Sequence, residues 1–311
     1  LSNFAWGLFL QQKAEGTSEQ FLKHYLAALK KMPDSPVLLK YMVTPWLFER
    51  KFTRIIETLT PLADAHPQIS HLQLVLSQAL LAEDRTEEAV AVLERGVAAS
   101  RWEDAQLLKE LFLCHWRNKQ LTEIDKLLRK AGRRTEGLPR LVVEQTYTAY
   151  FDALRQPLHT TQTPSVRQSK RYRKQALSHA EKAIELLDEH GTVEEFHALA
   201  ALLMRLESWE QLEDMVKRAR GDSEERIPEL ELLLVEALQN QGRNEEALAL
   251  LDHLIQPPPL QPRFFSRIAQ AYLSLDRGTE AATFLERALI AFPRAVELRL
   301  RLGYVYLHLS Q

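Results

Sequence analysis

The chain repeats itself every 34 residues. Pro33 and Pro67 stand 34 apart, as do Pro259 and Pro293. Each follows a run of helical character that carries a small or apolar residue near its end: Ala28, Leu62, Leu254 and Ala288. A fixed period of this size marks a solenoid, in which one supersecondary unit stacks on copies of itself. Between the prolines, apolar residues recur at i, i+3, i+4 and i+7, the pattern of a helix that buries one face. Val75, Leu76 and Leu80 make one such stripe, and Val90, Leu93 and Val97 make the next. No stretch alternates in the manner of a half-buried strand. Gly16, Gly242 and Gly278 fall in mid-unit, where a turn between two helices belongs. The expected fold is therefore all-α, built from paired helices that cannot cover their apolar faces alone.

The clearest unit runs from Pro262 to Ala295 and carries Phe265, Ile268, Ala269, Tyr272, Ala281, Leu285, Ala288 and Pro293. That is the spacing W-x2-L-G-x2-Y, then A-x3-F-x2-A, then P, with conservative replacements. It resembles the tetratricopeptide repeat, a helix–turn–helix unit of 34 residues. The resemblance implies a right-handed α-α superhelix, the TPR solenoid. In phase with this unit the chain divides into 2–35, 36–69, 70–103, 105–138, 139–192, 193–226, 228–261 and 262–295, followed by the first helix of a further unit at 296–311. The expectation is a single array over 1–311, and a fragment of a longer protein. Small residues, among them Ala200, Ala247, Ala269, Ala281 and Gly303, mark the places where neighbouring helices are expected to touch.

Unit 139–192 is too long, and its surplus is read as a loop insertion at 155–168 between helices 139–154 and 169–190. The insertion contains Pro157, Pro164 and a Thr/Gln-rich patch. At its end Arg167, Lys170, Arg171, Arg173 and Lys174 gather near a helix N-terminus, where the helix dipole disfavours positive charge. This basic patch is a candidate for holding an acidic partner or a phosphate, with a solvated charge run as the simpler reading. The last helix, 296–311, is apolar on several sides, which leaves it to pack on further chain, on a partner or on a second copy.

Chemistry is not evident. No Gly-rich phosphate loop, HExxH, CxxC or GxSxG occurs, so neither an enzyme nor a cofactor is expected. Cys114 is the single cysteine and reads as a small buried hydrophobe; no disulfide or cysteine-rich metal site is available to one thiol. A net charge of −2 argues against a nucleic-acid binder. No apolar run reaches the ~18 residues of a membrane helix. The lone cysteine leans toward a cytoplasmic location, although a chain that starts at Leu1 rather than Met leaves room for a missing targeting segment.

The resemblance also implies that the first helix of each unit lines a concave groove for a partner segment. Its groove positions fall here on Trp6, Lys13, Lys40, Thr44, Leu47, Leu74, Gln78, Leu81, Lys109, Leu113, Trp116, Val143, Tyr147, Tyr150, His197, Ala201, Met204, Glu229, Glu236, Gln239, Arg263, Ser266 and Gln270. Aromatic anchors beside charge suit a recognition surface, which singles out Trp6, Lys40, Lys109, Leu113, Trp116, Tyr147, Tyr150 and His197. A slip of one residue in 139–154 would turn Tyr147 and Tyr150 from groove to core. The carboxylate clamp of chaperone-binding arrays is not matched: Trp6, Leu10, Tyr41, His71 and Val75 occupy its positions. The function expected is a non-enzymatic scaffold or adaptor binding a protein or peptide. The alternatives are a spacer in a secretion or envelope assembly and, further off, a helical-repeat RNA binder.

Overall fold

The computed structural model describes residues 18–156, 163–220, 228–254 and 262–310. Among these there are sixteen helices and no strand. In order they are α1 (Ser18–Lys31), α2 (Pro36–Phe48), α3 (Phe52–Ala65), α4 (Ser70–Ala82), α5 (Thr86–Ala99), α6 (Ala105–Arg117), α7 (Leu121–Ala131) and α8 (Gly137–Arg155). Then follow α9 (Val166–His190), α10 (Val193–Arg205), α11 (Trp209–Arg220), α12 (Pro228–Asn240), α13 (Asn244–Leu254), α14 (Pro262–Ser274), α15 (Gly278–Ala291) and α16 (Val296–Leu309). The chain forms two compact units, Leu1–Tyr172 and Arg173–Gln311.

Helix starts are written locally. Ser35 precedes Pro36 at the head of α2 and accepts a hydrogen bond from the Leu38 N–H at 3.4 Å. Asp104 does the same for Leu107 at 2.9 Å at the head of α6, and Thr192 for Glu195 at 3.3 Å at the head of α10. Each side chain satisfies one of the N–H groups that a helix start leaves without a partner. Glu87 and Glu88, Glu194 and Glu195, and Glu245 and Glu246 sit in first turns, where they complement the helix dipole.

The turns inside six of the hairpins are one motif used repeatedly. The N–H groups of Lys51, Arg85, Gln120, Ser208, Arg243 and Arg277 bond back to the carbonyls of Trp46, Leu80, His115, Leu203, Leu238 and Tyr272, at 2.8 to 3.0 Å. The residue just before each of these donors has a positive φ: Arg50, Asp84, Lys119, Glu207, Gly242 and Asp276. Together these bonds make a Schellman cap that ends the first helix and aims the second. Only Gly242 is the residue such a conformation prefers. Gly278 is not a turn residue. It opens α15, and a Cβ there would stand 2.6 Å from Leu309 Cδ2, so glycine serves a close approach to α16. Glycine at Arg50, Lys119 and Glu207, all exposed, relieves the left-handed strain at roughly 0.5–1 kcal/mol per site. The triple variant is expected to melt several degrees above the parent by circular dichroism, and an unchanged or lower melting point would contradict the strain assigned to these turns.

Packing is local. In the first unit one core cluster runs from Tyr25 to Val92, and a second runs from Leu93 to Val143. In the second unit Leu199, Leu203, Leu212 and Val216 are buried on α10 and α11, and Leu234, Leu238, Ala247 and Leu251 on α12 and α13. Ile268, Ala269, Tyr272, Ala281, Leu285 and Ala288 are buried on α14 and α15. Within each unit consecutive helices pack on one another, as α4 does on α5 and α6 and α14 on α15 and α16, so neighbour contacts carry the stability. Gly303 departs from the expected pattern: it is exposed, and a Cβ there meets nothing within 4 Å. It is not at a helix contact, because no described helix lies across that face of α16.

Candidate partner-binding surface

In the first unit, α6 turns Leu107, Leu108, Leu111, Phe112, Cys114 and His115 into the core. Burial raises the Cys114 thiol above its usual range, so it stays protonated and inert. His115 is tied by Nδ1 to Gln120 Oε1 at 2.8 Å and belongs to the turn. The other side of α6 carries Lys109, Leu113 and Trp116 at i, i+4 and i+7. Leu113 is exposed, while Lys109 and Trp116 are half-buried. On α4, which packs against α6, Leu74 and Leu81 are half-buried and Gln78 is exposed. Leu74, Leu81 and Trp116 all lie against the second core cluster. The result is a row of apolar side chains, supported from below and open above, with one lysine beside it. On α2, Lys40 and Leu47 are exposed and Thr44 is half-buried.

Tyr147 and Tyr150 are half-buried and pack on the same core cluster. Burial raises both phenols, and Asp125 of α7 raises them further. They therefore lie on the side of α8 that meets α7. The buried residues of α8 include Leu141, Glu144, Gln145, Thr148 and Asp152, spaced i, i+3, i+4, i+7 and i+11, together with Val142, Val143 and Ala153; Val143, expected in the groove, lies instead in the second core cluster. Phe151 joins them to Tyr172, with ring centroids 5.3 Å from Tyr150, 6.1 Å from Tyr147 and 6.4 Å from Tyr172.

The basic patch resolves into two parts. Arg167, Lys170, Arg171 and Lys174 are exposed at i, i+3, i+4 and i+7, one face of α9. Arg173 points elsewhere and donates to the Leu206 carbonyl at 3.0 Å. The first turn of α9 contains no acidic residue to offset the four.

In the second unit His197 is exposed and borders a cavity of about 740 Å³ shared with Phe196, Thr192 and Glu229. Several late groove positions hold neighbouring hairpins together. Gln239 Nε2 donates to the Ala271 carbonyl at 2.9 Å, and Arg301 donates to Ser266 Oγ at 3.2 Å and to Gln270 Oε1 at 2.9 Å. Burial raises the Glu236 carboxyl while Arg267 pulls it down. Trp6, Lys13, the Arg263 side chain and the middle of the insertion, 157–162, lie outside the described residues. The repeat pattern does not single out Trp102, yet it is buried at a positive φ, with Lys130 and Arg134 over its ring at 5.2 and 5.5 Å.

No described helix is long and apolar enough to cross a membrane. The sequence model of the tetratricopeptide repeat matches residues 232–294 and 266–311. No curated protein sequence matches the chain. Among solved structures it is similar to a tetratricopeptide repeat protein from Parabacteroides merdae, at 13% identity over 98% of each chain with a TM-score of 0.45. It is also similar to the assembly chaperone of RpL4, Acl4, at 15% identity over 89% of this chain and 97% of that one, with a TM-score of 0.44. A TPR protein of Thermus thermophilus is 20% identical over 76% of this chain and 97% of its own, with a TM-score of 0.32.

Proposed function

We propose that this chain, a tetratricopeptide-repeat protein, is a non-enzymatic adaptor that holds a segment of another protein on the open faces of α4 and α6. Its fold is in general a protein-interaction scaffold. The observation that carries the finer reading is the row Leu74, Leu81, Leu113 and Trp116, half-exposed on a rigid floor, with Lys109 at its side. Apolar anchors held by packing lose little entropy when a partner covers them, which is what a recognition site needs. The four cations on α9 are a separate feature that suits an acidic segment, since four like charges at this spacing repel one another until they are matched.

The reading is tested with a photo-crosslinking residue placed at Leu113 and, as a control, at Glu94, exposed on the second helix of its hairpin. A partner trapped from position 113 and not from 94 is the expected result. Leu113→Asp combined with Lys109→Glu is expected to weaken capture at least ~10-fold, the loss of one buried anchor. Trapping only from position 94, or capture unchanged in the double variant, would place the partner elsewhere.

A further inference from the structure

One stretch of the chain holds no acid. Between Asp152 and Glu181 there is neither Asp nor Glu, while Arg155, Arg167, Lys170, Arg171, Arg173 and Lys174 all fall there. Two of these are spent locally: Arg155 on Asp152 at 3.0 Å and Arg173 on the Leu206 carbonyl at 3.0 Å. The other four are exposed along one face of α9, and among the described residues none of them makes an ion pair. Cations on other helices are matched within a turn, as Arg85 is by Glu88 at 2.6 Å, Lys126 by Glu123 at 2.8 Å and Arg129 by Asp125 at 2.8 Å.

The arrangement works against its own helix. Cations in the first turns oppose the helix dipole, and like charges three and four residues apart repel. Local rules broken without a local gain mark a place with another use. An anionic lipid surface is poorly served, because it needs apolar side chains beside the cations, and of the large apolar residues of α9 only Val166 is exposed. A single-stranded nucleic acid is poorly served too, because its bases need aromatic faces to stack on. The aromatic residue of this run, Tyr172, is half-buried and lies against Phe151.

Spacing selects the shape of an acidic protein partner. Arg167 to Lys174 covers about 10 Å at 1.5 Å per residue. An extended chain brings side chains to one side only every ~7 Å, so two carboxylates fall within that length. A helix with carboxylates at i, i+3, i+4 and i+7 brings four. Such a face suffers the same internal repulsion as α9, and each relieves the other.

We propose that this face of α9 binds an acidic helix of a partner protein, four carboxylates against Arg167, Lys170, Arg171 and Lys174. The inference rests on the reading of α9 as a site for an acidic segment and is independent of the row on α4 and α6. Fluorescence anisotropy with the 311-residue chain and a stapled helical peptide carrying Glu at i, i+3, i+4 and i+7 tests it. A second stapled peptide of the same composition, its Glu residues spread around the helix, is the comparison. The matched peptide is expected to bind at least ~10-fold more tightly than the spread one, and less tightly as salt rises. Arg167→Gln, Lys170→Gln, Arg171→Gln and Lys174→Gln together are expected to weaken it at least ~10-fold. All four positions are exposed and Gln is a good helix former, so helix content by circular dichroism stays at the parent value. Leu113→Asp with Lys109→Glu is expected to leave the peptide affinity unchanged. Equal affinity for the two peptides, with both lost in the quadruple variant, overturns the helical partner and leaves an acidic segment on α9. Matched-peptide binding that is absent from the parent, or unchanged in the quadruple variant, overturns both. Tighter binding of oligouridylate or of phosphatidylserine vesicles than of the matched peptide, lost in the quadruple variant, also overturns the proposal and gives the face to a nucleic acid or a membrane.

Discussion

Arginine at Ala269 is expected to unfold the C-terminal hairpins, whereas arginine at Gly303 is expected to leave their melting unchanged. Both are small residues at corresponding places in successive units, and both carry the close-approach signature in the sequence. Their surroundings differ. Ala269 is fully buried on α14, which packs against α12, α15 and α16. An arginine there must displace packed side chains and take a charge out of water, and either effect alone destabilises. The expected loss is roughly 4 kcal/mol or more, the range reserved for core disruption. At Gly303 a side chain extends into open space, and a helix-favouring residue replaces glycine in mid-helix. Circular dichroism melts of both variants check the pair. Equal damage at the two positions would mean that the open face of α16 is covered in solution by the chain itself.

The same contrast shows how far the sequence can be read. The 34-residue period and the helical stripes depend on apolar side chains, which the sequence displays, and the helices follow them. Contact with a neighbour depends on whether a neighbour is there, and Gly303 carries the signature without the contact. The hairpin turns are hidden for another reason. A Schellman turn is recognised by glycine, but Arg50, Asp84, Lys119, Glu207 and Asp276 take the positive φ here, held by backbone hydrogen bonds that any residue can make. Gly278, placed like a turn residue, answers to packing against Leu309 instead. On α8 the groove frame depends on rotation about the helix axis, and one residue changes the facing by about 100°. A regular apolar stripe would set that angle, but the buried apolar residues Leu141, Val142 and Val143 are consecutive and the rest of the buried face is polar at Glu144, Gln145, Thr148 and Asp152, so the pattern leaves it loosely determined. Likewise, five cations close together can be counted from the sequence. That Arg173 is spent on a carbonyl at the end of α10, leaving four on one face, requires the coordinates.

Glutamine at Glu213 removes a joint between hairpins, and it removes the acid sensitivity of that joint as well. Glu213 lies on α11 and is buried. Its carboxylate accepts hydrogen bonds from Lys217 at 2.6 Å, from Gln241 at 2.8 Å and from Arg243 at 2.7 and 2.8 Å. Arg243 is also the residue whose N–H closes the α12–α13 turn onto Leu238 at 2.9 Å. Burial pushes the Glu213 carboxyl up, but the bonds from Lys217, Gln241 and Arg243 outweigh it and hold the group down to about 2. The sign follows from that direction. The folded group binds its proton more weakly than the unfolded one, so its stabilisation is complete above the unfolded value near 4.5 and is lost as pH falls toward about 2. At about 1.4 kcal/mol per unit the contribution is at most ~3.5 kcal/mol. Urea unfolding at pH 7 and pH 3 is the measurement. Glu213→Gln is expected to lower stability at pH 7 by about 2–3 kcal/mol, because Arg243 and Lys217 lose the charge that matched them. It is also expected to lose less than the parent between pH 7 and pH 3. If parent and variant fall in parallel over that interval, the carboxylate is not what joins α11 to the following hairpin.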